Sequence, residues 1–375
     1  MTRLTRRPVA TRLLDVIGEG GVGVVFSARQ ASMDRKVAVK MLHEDINSDS
    51  GHRKKFLSEA VVTGELDHPN IVPVYELGTT DSGELFYSMK QVVGTPWLDA
   101  MPDLTLSENL DILSRVGDAI AFAHSRGVIH RDLKPENVML GSFGEVLVMD
   151  WGIALSTSTL LKEGDVRQSA SMGGTPCYMA PEMATGPIDK IGVPSDIYLL
   201  GAILYECVTG KPPHLADSVM ACLQAAARND ILPTEHKGEL MDIAMTAMAT
   251  DPADRYSEVP DFQAAIRQYE SHVESIRLAD QAEEAMALAR DEDDYQQYSK
   301  AIFGFQEALD RWEENQQADE GLNQATLAYA SSALNKSDFD LGLSLLDKDD
   351  PSHLRLRGQL RSSQHERDAR QQRIK

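Results

Sequence analysis

Near the amino terminus the run Gly18-Glu19-Gly20-Gly21-Val22-Gly23 sets glycines in the pattern GxGxxG. Backbone without side chains lets amide N–H groups approach phosphate oxygens closely, so the pattern suits a nucleotide. Val24, Val25 and Phe26 continue as a strand, whereas a dinucleotide-binding turn requires a helix to open at the last glycine. The context favours a glycine hairpin lying over phosphates; a glycine turn that binds nothing is the plain alternative. Val37-Ala38-Val39-Lys40 then puts a lysine in an apolar strand, where an ammonium is costly without an anion. ATP phosphates can be that anion, and a lysine reaching from an edge strand to water is the competing reading. A helix predicted over 51–66 offers Glu59 to hold Lys40 toward the phosphates, with Glu65 as the other candidate.

A second cluster, His130-Arg131-Asp132-Leu133-Lys134-Pro135-Glu136-Asn137, is followed thirteen residues after Asn137 by Asp150-Trp151-Gly152. With the glycine run, Lys40 and Ala180-Pro181-Glu182, it resembles the eukaryotic-like, bacterial-type serine/threonine protein kinase family over residues 11–269. The resemblance implies an α+β, two-lobed protein kinase fold, with an antiparallel N-lobe sheet carrying one helix and a mainly helical C-lobe. It also implies ATP and Mg2+ as cofactors. On that pattern Asp132 accepts the proton of the substrate hydroxyl, Lys134 stands beside it, Asn137 and Asp150 hold magnesium, and Lys40, paired with Glu59, binds the α and β phosphates. The nucleotide is implied to contact Ile17, Gly18, Glu19, Gly20, Gly21, Val22, Gly23, Val25, Ala38, Lys40, Met89, Val92 and Met139, with Met89 as gatekeeper and Lys90 to Val92 as hinge. A loose phosphoryl-transfer transition state needs an aligned nucleophile and neutralised oxygens, which explains two carboxylates, an amide oxygen and two hard cations.

Lys134 and Gly174-Thr175 resemble the serine/threonine pattern, so protein substrates with Ser or Thr are expected, with Thr175 near Asp132 and Lys134. Asp196 is implied to brace the 130–132 backbone and Arg255 to pair with Glu182. The chain departs from the family at Trp151, where phenylalanine is usual, at Val22, where an aromatic is common, and at Lys90, where many relatives carry glutamate. None removes a catalytic part; the alternative is a pseudokinase scaffold recruiting partners through its tail. Asp132→Asn and Lys40→Met are each expected to abolish transfer and leave the fold intact. Arg131 implies activation by phosphorylation of the segment from Asp150 to Glu182, at Ser169 first and Ser171 next, with Arg167 assisting.

The elements that must carry these groups read as follows. Short β-like runs at 13–17, 24–26 and 37–41 predict an antiparallel meander, the 51–66 helix follows, and further strands are expected over 71–77 and 85–93. Ile112, Val116, Ile120 and Ala123 recur at helical spacing, with Gly127 as a stop. Strands over 138–140 and 146–149, joined by Ser142-Phe143-Gly144, mount Asp150 at a strand end. The apolar run Ile197 to Val208 is short of the ~20 residues that span a bilayer and reads as a buried helix. The chain divides into an extension over 1–10, a kinase domain over 11–270 and a helical tail over 271–375.

In the tail, Tyr298 to Trp312, Leu322 to Ala333 and Phe339 to Leu346 trace successive helical faces, resembling tetratricopeptide repeats; a charged helical linker is the alternative. About one and a half such repeats would need to dock on the kinase or on a protein partner. The arginines after His353 read as a solvated basic end, or as a juxtamembrane segment of a longer chain. A net charge of -21, from 58 acidic and 37 basic residues, would repel a phosphate backbone and argues against nucleic acid. The three cysteines lack metal-type spacing, no signal peptide or membrane span is evident, and a cytoplasmic setting is expected.

Overall fold

The computed structural model describes residues 11–20, 22–43, 49–156 and 173–374, which form two compact units, 1–266 and 267–375. The first opens with strands β1 (Thr11–Glu19), β2 (Gly23–Gln30) and β3 (Arg35–Leu42), then helix α1 (Ser50–Glu65), and then β4 (Val74–Thr79) and β5 (Leu85–Met89). The strands form one antiparallel sheet in the order β1-β2-β3-β5-β4. Asp49 caps α1, its Oδ1 accepting from the N–H groups of Gly51 and His52 at 2.7 and 3.2 Å. Phe56 and Ala60 of that helix join Ala38, Leu42, Tyr87 and Met89 in the core of this lobe.

The chain then passes through β6 (Gly94–Pro96) and α2 (Trp97–Ala100) into α3 (Leu106–Ser125). α3 begins at a reciprocal cap, Glu108 N–H to Thr105 Oγ1 and Thr105 N–H to Glu108 Oε2, and is followed by Gly127 at φ 73°. After β7 (Val128–Ile129), the hairpin β8 (Val138–Gly141) and β9 (Val146–Val148) pairs with β6, and β10 (Leu155–Ser156) pairs with β7. Helices α4 (Pro181–Thr185), α5 (Val193–Thr209), α6 (Val219–Arg228) and α7 (Glu239–Ala247) complete the lobe. α5 is the buried helix expected from its apolar run, with Ile197 to Tyr205 almost wholly covered. Gly201 lets α7 approach it: a Cβ there would stand 2.6 Å from that of Ala247. Among the described residues no helix is long and apolar enough to cross a membrane.

The division into units falls within α8 (Val259–Glu292), which is followed by α9 (Tyr295–Arg311), α10 (Gln316–Asn335), α11 (Phe339–Leu345) and α12 (Leu354–Ile374). The sequence reading counted too few helices here. The second unit buries its own core, in which Ala279, Ala282, Met286 and Ala289 of α8 meet Tyr298, Ala301 and Phe305 of α9 and Ala325 and Tyr329 of α10. The basic end is also more than a solvated tail: α12 buries Leu360 completely against α10 and α11, and Arg357 donates to the carbonyls of Leu343 and Leu346 at 3.1 and 2.5 Å.

Candidate active site

The glycine run forms the β1–β2 turn, with Gly18 opposite Val25 and Glu19 opposite Val24. The chain continues from Gly23 as a strand, as the hairpin reading requires. Gly20 N–H donates to Gly23 O at 3.0 Å, His43 Nε2 lies 2.9 Å from Gly20 O, and Gly21 lies outside the described residues. The glycines do not all have one cause. A Cβ on Gly20 would meet nothing, whereas one on Gly23 would lie 2.1 Å from Met41 O. Gly23 is therefore required by the approach of β3 to β2, whatever the hairpin covers.

Beneath the turn, Lys40 stands opposite Val25 on β2 and Tyr87 on β5. Its Nζ lies 2.5 Å from Glu59 Oε1, and the Tyr87 hydroxyl donates to the same oxygen at 2.7 Å. Glu59 is buried, while Glu65 is exposed at the end of α1, which decides between the two candidate partners. Burial alone would lower the Lys40 pKa; the carboxylates of Glu59 and Asp150 overcome it and hold the ammonium above its usual value. Val22, Val25, Ala38 and Met89 gather in one apolar cluster with Met149 against it, a residue the sequence did not single out. Met139 sits on β8 opposite Leu147 and Pro96, Val92 is half-buried, and Ile17 and Glu19 are exposed on β1. Lys90 reaches from the hinge to Glu145 Oε1 at 2.7 Å, a use for the unusual lysine at that position.

The 130–137 loop is built on Asp196 of α5, which is fully buried. Its Oδ2 accepts from His130 N–H at 2.8 Å, its Oδ1 from Arg131 N–H at 2.9 Å, and His124 Nε2 lies 2.8 Å from Oδ2. Burial would raise this carboxyl, and His124, His130 and the Arg131 N–H more than reverse it, leaving it below the ordinary range. The brace allows Arg131 the left-handed φ of 73°, and the next side chain, Asp132, has three polar neighbours, with Asn137 Nδ2 and Lys134 Nζ lying 3.4 and 3.8 Å from its Oδ2 and Thr175 on its Oδ1. Asp132 Oδ1 accepts from Thr175 Oγ1 at 2.8 Å, Lys134 Nζ donates to that same hydroxyl at 2.7 Å, and Asn137 Nδ2 donates to Asp132 O at 2.8 Å. Asn137 thus commits its amide N–H to the loop and keeps its oxygen for another partner.

Asp150, also at positive φ, 54°, is exposed at the end of the β8–β9 hairpin. A Cβ on Gly152 would lie 3.0 Å from Asp150 Oδ1 and 3.2 Å from Glu59 Oε2, so this glycine lets both carboxylates close around Lys40. Trp151 is buried edge-on to His130, ring centroids 4.5 Å apart. Its larger indole is accommodated by that packing, though its Nε1 has no hydrogen-bond partner among the described residues. As a donor set, the Asn137 amide oxygen and Asp150 carboxylate are hard ligands that suit magnesium. Among the described residues no three His, Cys, Asp or Glu side chains gather as a metal cage.

Farther out, Arg255 Nη1 and Nη2 donate to the two Glu182 oxygens at 2.8 and 2.9 Å, and Ser195 Oγ donates to Glu182 Oε1 at 2.8 Å. Sequence reasoning had named the Arg255 pair, but not the roles of Tyr87, His124 or Ser195, which depend on contacts between distant elements.

The sequence profile of the protein kinase domain matches residues 11–269. Serine/threonine-protein kinase PknD of Chlamydia muridarum is 33% identical over 296 residues, covering 68% of this chain and 31% of the relative. PknD of Chlamydia abortus is 34% identical over 293 residues, with 68% and 30% covered. The chain spans about a third of the length of these curated relatives.

Proposed function

This chain belongs to the protein kinase family, and on that premise we propose that it transfers the γ-phosphoryl group of magnesium-bound ATP to serine and threonine hydroxyls of proteins. The observation that carries this reading is an alcohol already held between the reacting groups: Thr175 Oγ1 donates to Asp132 Oδ1 and accepts from Lys134 Nζ. A substrate hydroxyl entering beside it would donate to the Asp132 carboxylate, which aligns the oxygen and takes its proton as the bond to phosphorus forms. Lys134 steadies the charge on the transferred group, and Lys40, fixed by Glu59, holds the α and β phosphates. Asn137 and Asp150 are the residues that would hold magnesium, which would supply positive charge to the phosphate oxygens. The reading assigns this work to residues 11–270 and leaves 271–375 as a helical appendage. Three free thiols suit a cytoplasmic setting.

Labelled-ATP phosphorylation of a degenerate peptide library, with parent and Asp132→Asn proteins compared, tests it. Label is expected on serine and threonine, and the substitution should cost about 10²–10⁴-fold, the range of a lost general base. Equal rates would reject the assignment.

The regulatory part of the reading is phosphorylation of the activation segment on Ser169 first and Ser171 next. Both, with Arg167, lie outside the described residues. Support comes from Arg131, directly before Asp132, which donates from Nη1 to Ile153 O of that segment at 3.2 Å. A phosphate has the charge and acceptors for such a guanidinium. The Ser169→Ala, Ser171→Ala protein should be slower, with phosphate found by mass spectrometry in the parent; full activity without phosphate would remove this part.

A further inference from the structure

Thr175, whose hydroxyl bridges Asp132 and Lys134, is followed two residues later by Cys177, half-buried in the same segment. Cys222 of α6 is buried, and its Sγ lies 3.6 Å from that of Cys177. Both are tied to one backbone position: His214 N–H donates to Cys177 O at 3.1 Å, and the Cys222 thiol donates to His214 O at 3.3 Å. His214 is itself fixed, fully buried with its ring between the Tyr198 hydroxyl at 2.8 Å and Asp230 O at 3.0 Å. The two sulfurs are thus held in contact by backbone that has little freedom to separate them.

We propose that Cys177 and Cys222 are an oxidative modification site, a reversible disulfide that fastens the Thr175-bearing segment to α6. The oxidant is a hydroperoxide. The more accessible Cys177 sulfur attacks the peroxide oxygen, the O–O bond breaks, and Cys177 sulfenic acid and water form when the peroxide is hydrogen peroxide. The Cys222 sulfur then attacks the Cys177 sulfur; the S–S bond forms, the S–O bond breaks, and the departing hydroxide takes the Cys222 proton as water. Two thiols lose two electrons and one peroxide becomes two waters. The order suits the environments, since burial pushes the Cys222 thiol up to about 12 and leaves it the poorer first nucleophile. A bonded S–S distance is about 2.05 Å, so closure draws the sulfurs together and removes the thiol hydrogen from His214 O. Thr175, two residues along, is displaced from Asp132 and Lys134.

The test is hydrogen peroxide treatment of the intact chain, followed by non-reducing peptide mapping and peptide phosphorylation. A Cys177–Cys222 linked peptide with the loss of two hydrogens is expected. The phosphorylation rate should fall by about tenfold or more, the scale on which small displacements of positioning groups act, and return with dithiothreitol. Cys222→Ala and Cys222→Ser should give neither linkage nor reversible loss, and Cys207→Ala should behave as the parent. Absence of the linked peptide, or linkage with an unchanged rate, would overturn the proposal. The rate measurement rests on the kinase reading; the mapping does not, and a reduced parent without phosphorylation would fail that reading alone.

Discussion

The Lys40–Glu59 pair combines a short contact with unequal burial: the side chains are 16% and 5% exposed, and Glu59 shares its Oε1 with the Tyr87 hydroxyl. Removing the ammonium would leave a buried carboxylate with a hydroxyl for company, a situation that costs about 3–5 kcal/mol when a buried pair is broken. The sequence alone suggested that Lys40→Met would spare the fold; the burial of Glu59 changes that expectation. Lys40→Met should lose phosphotransfer and also lower the melting temperature, whereas Lys40→Met with Glu59→Leu should regain the melt and stay inactive. Thermal melts of both proteins decide it, and a single variant melting with the parent would reject the argument. At this scale the side chains that meet around Lys40 and Asp132 were legible as a group because the motifs that carry them are local in sequence. The choice of Glu59 over Glu65 was not, since both lie on the same predicted helix and only burial separates them. Gly23 shows the same limit: its place in a phosphate-binding pattern concealed a steric demand from Met41.

Arg255, between α7 and α8, joins elements far apart in sequence: it grips Glu182 of α4 and also donates to Pro194 O of α5 at 2.8 Å. Burial pushes the Glu182 carboxyl up, and Arg255 and Ser195 more than reverse it, so its pKa lies below the ordinary value. A folded-state pKa depressed in this way adds stability above the unfolded value, about 4.3, and that stability is lost as pH falls through the folded one. In Arg255→Met burial is opposed only by Ser195 and the local backbone, so the carboxyl rises and the stability that its ionised form lent above the unfolded value is lost. The variant should be about 3–5 kcal/mol less stable than the parent at neutral pH, with the gap narrowing below about pH 4. Denaturant melts at both pH values measure it; a constant gap would exclude Glu182 as the source. Elements were legible where apolar contrast is strong: the β1–β3 meander, and α3 with its Gly127 stop. Within the helical tail the packing faces were not legible in α8, whose buried stripe of Ala279, Ala282, Ala285 and Ala289 carries little contrast, nor in α12, where one apolar line through Leu360 is surrounded by arginine.

Across the whole molecule the second unit extends its sequence reading furthest. Ala289, Tyr298, Ala301 and Phe305 are buried, and so are Ala330, Phe339, Gly342 and Leu346, each 41 residues further on. This 41-residue spacing of buried positions is longer than the ~34 residues of a tetratricopeptide unit and does not by itself establish the suspected repeat. A repeat of this kind needs neighbours to cover its faces, and the sequence, counting one and a half, required an outside surface. The second half of α8, and α12 through Leu356 and Leu360, supply cover from within the unit. Phe305 is its best probe, 1% exposed and packed so tightly on Gly321 that a Cβ there would lie 2.3 Å from Cε1 of the ring. If this core orders the unit, amides of α9 and α10 in the intact chain are protected from exchange, and Phe305→Ala should lower that protection by about 3–5 kcal/mol. Gly321→Ala, which overfills the same contact, should lower it by about 1–3 kcal/mol. Hydrogen exchange read by mass spectrometry measures both. Amides exchanging freely in the parent would mean that the helices are not ordered by this core, and protection unchanged in Phe305→Ala would move the source of their order elsewhere.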